Sequence, residues 1–226
     1  MVSNRIESTF EPFLFADLEA FFGELSDLVN QGKEPFLKND FQQRYKGQRG
    51  LMVVAVVSSR QRSAQRVDNQ ILPSYQKQVG PQNLSLSYLA NNLPTITGLM
   101  KTEPQTMKDV AGLLLEYGKA NGIENEDEIC HRWAQAAALG TNLHQQMIDV
   151  KGIGFALLEY LRMLSGADTI KIDVQVKKSL KSLGMNTELL SDLGVYRLCL
   201  QIATHQYISA FELDQALWFK NALPVK

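Results

Sequence analysis

Apolar residues return at three- and four-residue steps along most of the chain, the spacing of helices with one buried face. Leu18, Phe21, Phe22, Leu25 and Leu28 follow it and predict a helix over about 15–29, stopped at Gln31-Gly32. Residues 50–57 form a continuous β-branched apolar run, which suits a buried strand or a buried helix. The polar stretch after it, Arg60 to Ile71, holds no turn residues. This predicts one helix over 51–72 that starts buried and ends exposed, with Pro73 close after its end. A short helix is expected at 84–90 and a further helix at 106–119. Asn125 followed by Glu126, Asp127 and Glu128 is a helix start, with a capping side chain and acidic residues in the first turn. That helix should run to about Leu139. Residues 143–150 and 155–165 predict two helices joined by Gly152-Ile153-Gly154, and Gly166 ends the second. Helices at 174–183, 189–192, 196–207 and 211–219 complete an all-α chain.

Composition narrows the class. The chain has 226 residues, 45% of them hydrophobic, enough for one large domain or two small lobes with a real core. A net charge of −1 does not signal a strongly basic nucleic-acid binder. The charge is uneven, however. Residues 1–30 set Arg5 against Glu7, Glu11, Asp17, Glu19, Glu24 and Asp27. Residues 60–77 set Arg60, Arg62, Arg66 and Lys77 against Asp68. Residues 151–181 are also basic, with Lys151, Lys177, Lys178 and Lys181 among them. The two cysteines, Cys130 and Cys199, form no CxxC pair, which points to a reduced, intracellular setting, cytoplasmic or nucleoid-associated. No basic segment followed by an apolar run opens the chain, so no signal peptide is expected. The run Leu51–Val57 is too short to span a bilayer, so no membrane partner is expected.

The Gly-Ile-Gly turn carries the first chemical suggestion. Glycine is needed where the chain takes positive φ or where two backbones come close, and Gly152 and Gly154 would meet that need. The turn leaves the first amides of the next helix without partners, in an orientation that suits a phosphate oxygen. A purely structural turn accounts for the local pattern equally well.

The longer arrangement Val150-Lys-Gly-Ile-Gly154, then Gly166-Ala-Asp-Thr-Ile-Lys-Ile-Asp173, then Val174-Gln-Val-Lys-Lys178 resembles the helix-hairpin-helix DNA glycosylase superfamily. Val56-Val-Ser-Ser-Arg-Gln-Arg62 looks like the endonuclease III-type segment whose glutamine fills the gap left by an extruded base. Glu212-Leu-Asp-Gln-Ala-Leu-Trp218 is similar to that family's closing helix. The likeness spans roughly 50–220. It implies two α-helical lobes with a DNA-binding cleft between them. Residues 46–165 would form a helical barrel ending in the hairpin, and 1–45 with 166–226 would form the lobe that carries Asp173.

The resemblance also implies roles. Asp173 would be the catalytic carboxylate, although an aspartate ahead of a helix is also a common cap. Gln61 would be the wedge, although alone it reads as an exposed polar residue. Arg60, Arg62, Arg66, Lys151, Lys177 and Lys178, with the Gly152 and Gly154 backbone, would hold DNA phosphates. The carbonyls of Ile148, Val150 and Ile153 would hold a structural monovalent cation. The sequence departs from the family in three places. Phe155-Ala-Leu-Leu158 offers no lysine after the turn, so no lyase step is expected. Val150-Lys151 replaces the usual Leu-Pro. Two distant cysteines cannot hold an iron–sulfur cluster. The expectation is a monofunctional DNA N-glycosylase of base excision repair, monomeric, acting on double-stranded DNA with a damaged base. The alternative is a non-catalytic DNA-binding relative using only the hairpin. His131, His144, His205 and Cys130 lack metal-site spacing. Glu159 and Asp214 are possible second carboxylates, with surface or helix-pair roles the simpler expectation.

Overall fold

The structure, a computed structural model, describes residues 14–31 and 38–222. The main helices in chain order are α1 Leu18–Gln31, α2 Lys38–Gln43, α3 Arg49–Ser58, α4 Ala64–Arg66, α5 Leu72–Val79, α6 Leu86–Asn91, α7 Glu103–Ala120, α8 Glu126–Ala136, α9 Asn142–Ile148, α10 Phe155–Leu164, α11 Val174–Ser182, α12 Asp192–His205 and α13 Ala210–Ala222. Short 3₁₀ and π turns lie between some of them. Among the described residues there is no strand, only an isolated bridge between Phe15 and Met185. The chain is all-α, as its periodicity predicts. The expected stop at Gly32 and the first 13 residues of the expected N-terminal segment lie outside the described residues. Among the described residues, no helix is long and apolar enough to cross a membrane.

Backbone contacts divide the chain into two compact units, Phe41–Ala167 and Met1–Asp40 with Asp168–Lys226. In the first unit, α3 is the central element. Every one of its residues is buried, so the ambiguous apolar run is a helix surrounded by other helices. Met52, Val53 and Val56 pack in a core with Leu86 and Leu89 of α6, Met107 and Leu114 of α7, Trp133 of α8, and Leu158 and Leu161 of α10. Each such side chain contributes about 1.5–3 kcal/mol by leaving water. Arg49 is buried at the head of α3. Its Nε donates to Asp127 Oδ1 at 2.6 Å, and its Nη1 donates to the Leu164 carbonyl at 3.2 Å. One guanidinium thus ties together the starts of α3 and α8 and the end of α10. Asn125 caps α8 as expected, its Oδ1 accepting from the Asp127 and Glu128 amides.

The expected single helix over 51–72 is two helices. The first ends at Ser58, and Gln61 takes a left-handed backbone at φ 55. A second helical run begins at Ser63, whose hydroxyl accepts from the Arg66 amide. This run also continues past Pro73. A π-helical turn, Val67–Ile71, immediately precedes the proline, and the Leu72 amide reaches back to the Val67 carbonyl. A widened turn of this kind relieves the clash that a proline ring makes with the carbonyl four residues back.

In the second unit α1, α11, α12 and α13 share a core that includes Phe21, Leu25, Val176, Leu180, Ile202, Leu213 and Leu217. The loop before α11 is stitched to its own unit by polar bonds. The Phe211 amide donates to Asp168 Oδ1 at 3.1 Å, and the Thr169 and Tyr196 hydroxyls are 3.0 Å apart. The buried Ser179 hydroxyl of α11 donates to the Leu217 carbonyl of α13.

Candidate nucleic-acid interface and carboxylate site

The α9–α10 connection is closed by the Ile153 amide, which donates to the Val150 carbonyl at 3.0 Å. Gly152 has φ +99, and a Cβ there would stand 2.8 Å from Thr106 Oγ1. That position needs glycine both for its backbone angle and for space. Thr106 Oγ1 donates to the Lys151 carbonyl at 2.6 Å and ties the turn to α7. Ile153 is buried, and Lys151 is exposed. Gly154 differs from the expectation. Its φ of −106 is extended, and a Cβ there would meet nothing within 4 Å. The fold therefore gives no reason for glycine at 154. What its bareness does is leave the start of α10 open, because no side chain caps that helix. The Leu157 and Leu158 amides turn back to the Gly154 carbonyl, and the amides ahead of them lie at the bare end of the helix.

The 59–62 turn lies against this connection. Arg60 Nη1 is 3.5 Å from where a Gly152 Cβ would be, so the guanidinium sits beside the glycine turn. Gln61 is exposed and held left-handed. A non-glycine residue in that region costs about 1–2 kcal/mol, and such strain persists only where the surroundings over-determine it. The surroundings here are Arg62. The expectation that Arg62 holds phosphate is corrected: its side chain is only 5% exposed. Nη1 donates to Glu103 Oε1 at 2.6 Å and Nη2 to Glu103 Oε2 at 3.0 Å. Further bonds run to the carbonyls of Ser58 and Gly98 at 2.8 and 2.7 Å. Glu103 also accepts from the Met100 amide at 2.7 Å. With both terminal nitrogens of its fork engaged twice inside the unit, Arg62 anchors the turn that displays Gln61. Arg66 is exposed at the end of α4.

Glu159 is a helix-pair carboxylate, but a fully buried one. Its Oε2 accepts from Arg162 Nη1 at 2.7 Å, and His144 Nε2 of α9 lies 3.4 Å from Oε1. Arg162 Nε also donates to the Ala134 carbonyl at 3.1 Å. This buried group links the two helices that flank the glycine turn.

Asp173, in the other unit, caps α11. Its Oδ1 accepts from the Gln175 and Val176 amides at 2.8 and 3.1 Å. Its Oδ2 lies 3.2 Å from Lys171 Nζ, and its side chain is 28% exposed. The cap thus uses one oxygen of the carboxylate, and the Lys171 ammonium approaches the other. Lys177, expected at phosphate, is ion-paired with Asp192, which satisfies the charge a phosphate would have met. Lys178 is exposed. Asp214, expected on a surface or in a helix pair, is instead buried. Its Oδ1 accepts from the Lys171 amide at 2.9 Å and its Oδ2 from Gln215 Nε2 at 3.0 Å. Burial pushes its carboxyl from 3.8 up to about 7; the nearby Asp173 charge adds to the rise, while the hydrogen bonds and the Lys171 charge oppose it. Sequence reasoning offered Asp214 only as a possible second carboxylate and missed its burial, since its partner lies 43 positions away. The one available signal was an aspartate at an apolar-facing position between Leu213 and Ala216–Leu217 of a helix.

The three expected cation donors are carbonyl oxygens on one short turn. Carbonyl oxygens suit a hard monovalent ion, and the Val150 oxygen, already bonded to Ile153, keeps its second lone pair. No known protein family, curated protein or solved structure matches the chain.

Proposed function

We propose that the protein is a monofunctional DNA N-glycosylase of the helix-hairpin-helix type, acting on a damaged base extruded from double-stranded DNA. The observation that carries this reading is the meeting of two separately recognised stretches in one unit. The Arg60 guanidinium lies beside Gly152, next to the strained, exposed Gln61 and the uncapped start of α10. A duplex laid on this edge would meet Arg60, Lys151 and the α10 amides at its phosphates. Gln61 would fill the space vacated by the extruded base and hydrogen-bond the orphan opposite it.

The reaction breaks the bond between the sugar C1′ and the base nitrogen. The bond's electron pair leaves with the base, and the sugar passes through an oxocarbenium-like state. The Asp173 carboxylate would stabilise that positive charge more than it stabilises the substrate. A water would add its oxygen to C1′, and its proton would leave through the carboxylate or solvent. The run Phe155-Ala-Leu-Leu158 supplies no amine to form a Schiff base, so the product would be an intact abasic strand. A monovalent cation on Ile148, Val150 and Ile153 would add only positive charge beside a phosphate.

One observation favours the alternative, a DNA-binding relative without catalysis. Lys171 already neutralises part of the Asp173 charge, and Asp173 also serves as a cap. Single-turnover base release separates the two readings. The panel holds duplexes with alkylated purines, uracil, thymine glycol and 8-oxoguanine, each tested with wild type and Asp173→Asn. Release by wild type and not by the variant supports the glycosylase. Salt-sensitive binding without release from any duplex supports the non-catalytic relative.

A further inference from the structure

Asp214 has no part in the reaction above, yet it is a buried carboxylate tied to the segment that carries Asp173. The two are joined through one residue. The Lys171 backbone amide donates to Asp214 Oδ1 at 2.9 Å, while the Lys171 ammonium reaches Asp173 Oδ2 at 3.2 Å. Lys171 is thus held by its backbone to a buried carboxylate and by its side chain to an exposed one. The Asp173 amide also donates to the Lys171 carbonyl at 2.9 Å, so the backbone between them is tightly folded. Among the described residues, the charged groups that act on Asp214 are Lys171 and Asp173, both from the segment leading into α11. On α12, Cys199 feels the Asp214 charge but stays a thiol. On α1, Glu24 pairs with Lys220.

We infer that Asp214 is a positioning residue for Asp173, setting through Lys171 how much of the Asp173 charge is free to act at the reacting sugar. The inference rests on the glycosylase reading and deepens it. When Asp214 is neutral, the Lys171 ammonium, 3.2 Å from Oδ2, masks Asp173. When Asp214 is ionised, a second anion competes for that ammonium, and the negative charge facing the sugar grows. Both effects raise the stabilisation of the oxocarbenium-like state. Since burial raises the Asp214 carboxyl to about 7, the switch between the two forms falls near neutral pH.

The test is a pH profile of single-turnover base release by the full chain from pH 5.5 to 8.5. Wild type is expected to speed up with rising pH through a midpoint near 7. Asp214→Asn keeps an oxygen for the Lys171 amide and cannot ionise; it is expected to stay on the low-pH plateau at every pH. Lys171→Gln unmasks Asp173 and is expected to lift the low-pH rate toward the high-pH one. A limb near 7 that survives in Asp214→Asn overturns the inference, as does a wild-type profile with no such limb. If wild type releases no base at all, the glycosylase reading fails on its own. The coupling is then read from carboxyl carbon resonances. The Asp173 carbon is expected to change its shift near pH 7 in wild type, as Asp214 ionises, and not in Asp214→Asn. An Asp173 carbon that does not respond near pH 7 in wild type overturns the inference whatever the activity.

Discussion

Gln61 and Arg62 are neighbours with opposite duties, and each duty has a measurable signature. Gln61 stands exposed at φ 55, a conformation that glycine adopts without cost. Gln61→Gly is expected to stabilise the protein by about 0.5–1 kcal/mol while weakening its grip on a lesion duplex. Thermal melting and a binding titration on the same sample check both signs. Arg62 is expected to behave in reverse. Its removal leaves Glu103 buried without its partner, at a cost of about 3–5 kcal/mol; Arg60→Ala should cost little stability and mainly lower DNA affinity. Asp214 adds a pH signature. Its folded-state carboxyl is raised from 3.8 to about 7, so the folded state resists ionisation. Its contribution is most favourable below 3.8, falls as pH rises to about 7, and is flat above. Asp214→Asn, with the Gln215 amide turned to present its oxygen, should therefore melt higher than wild type at pH 8 by a margin that shrinks toward pH 4.

At the level of elements, the two glycines of the turn make a matched pair. Gly152→Ala meets both a positive φ and Thr106 Oγ1 at 2.8 Å, and is expected to destabilise by about 1–3 kcal/mol. Gly154→Ala meets open space at an extended φ, and should leave the stability within about half a kcal/mol of wild type. If a phosphate approaches the α10 amides, this second variant loses DNA affinity without losing stability. Helices were legible in the sequence where local chemistry marks them. Asn125 with its acidic first turn and Gly166 after α10 both punctuate the chain through their own side chains or lack of one. The break at 59–62 was not legible, because neither glycine nor proline marks it. It is imposed by Arg62 and Glu103, which meet 41 positions apart. Pro73 misled for a similar reason: a π turn makes room for the ring, and no local sequence signal announces such a turn. The same distance effect hid the burial of Arg62 and Asp214, and so divided the candidate site into a readable half and an unreadable one. Gln61, the glycine turn and Asp173 stand out in the chain, while the residues that hold them do not.

For the whole molecule, a net charge of −1 means that any affinity for DNA comes from where the cations stand, since their number is balanced overall. The logarithm of the binding constant should fall linearly with the logarithm of salt concentration. Arg60→Ala and Lys151→Ala should each reduce the slope by about one. Lys177→Ala should change it less, because Asp192 already occupies that ammonium.

The two cysteines have a consequence on this scale too. Cys130 belongs to the 41–167 unit and Cys199 to the other, and both are free and fully covered. Burial raises the Cys130 thiol to about 12 and pushes the Cys199 thiol up as well. Neither can be alkylated until its surroundings open. Each unit thus carries its own internal clock: the rate at which a thiol reagent marks Cys130 times the opening of one unit, and the rate at Cys199 times the other. A duplex that slows one clock and leaves the other running identifies the unit it clasps.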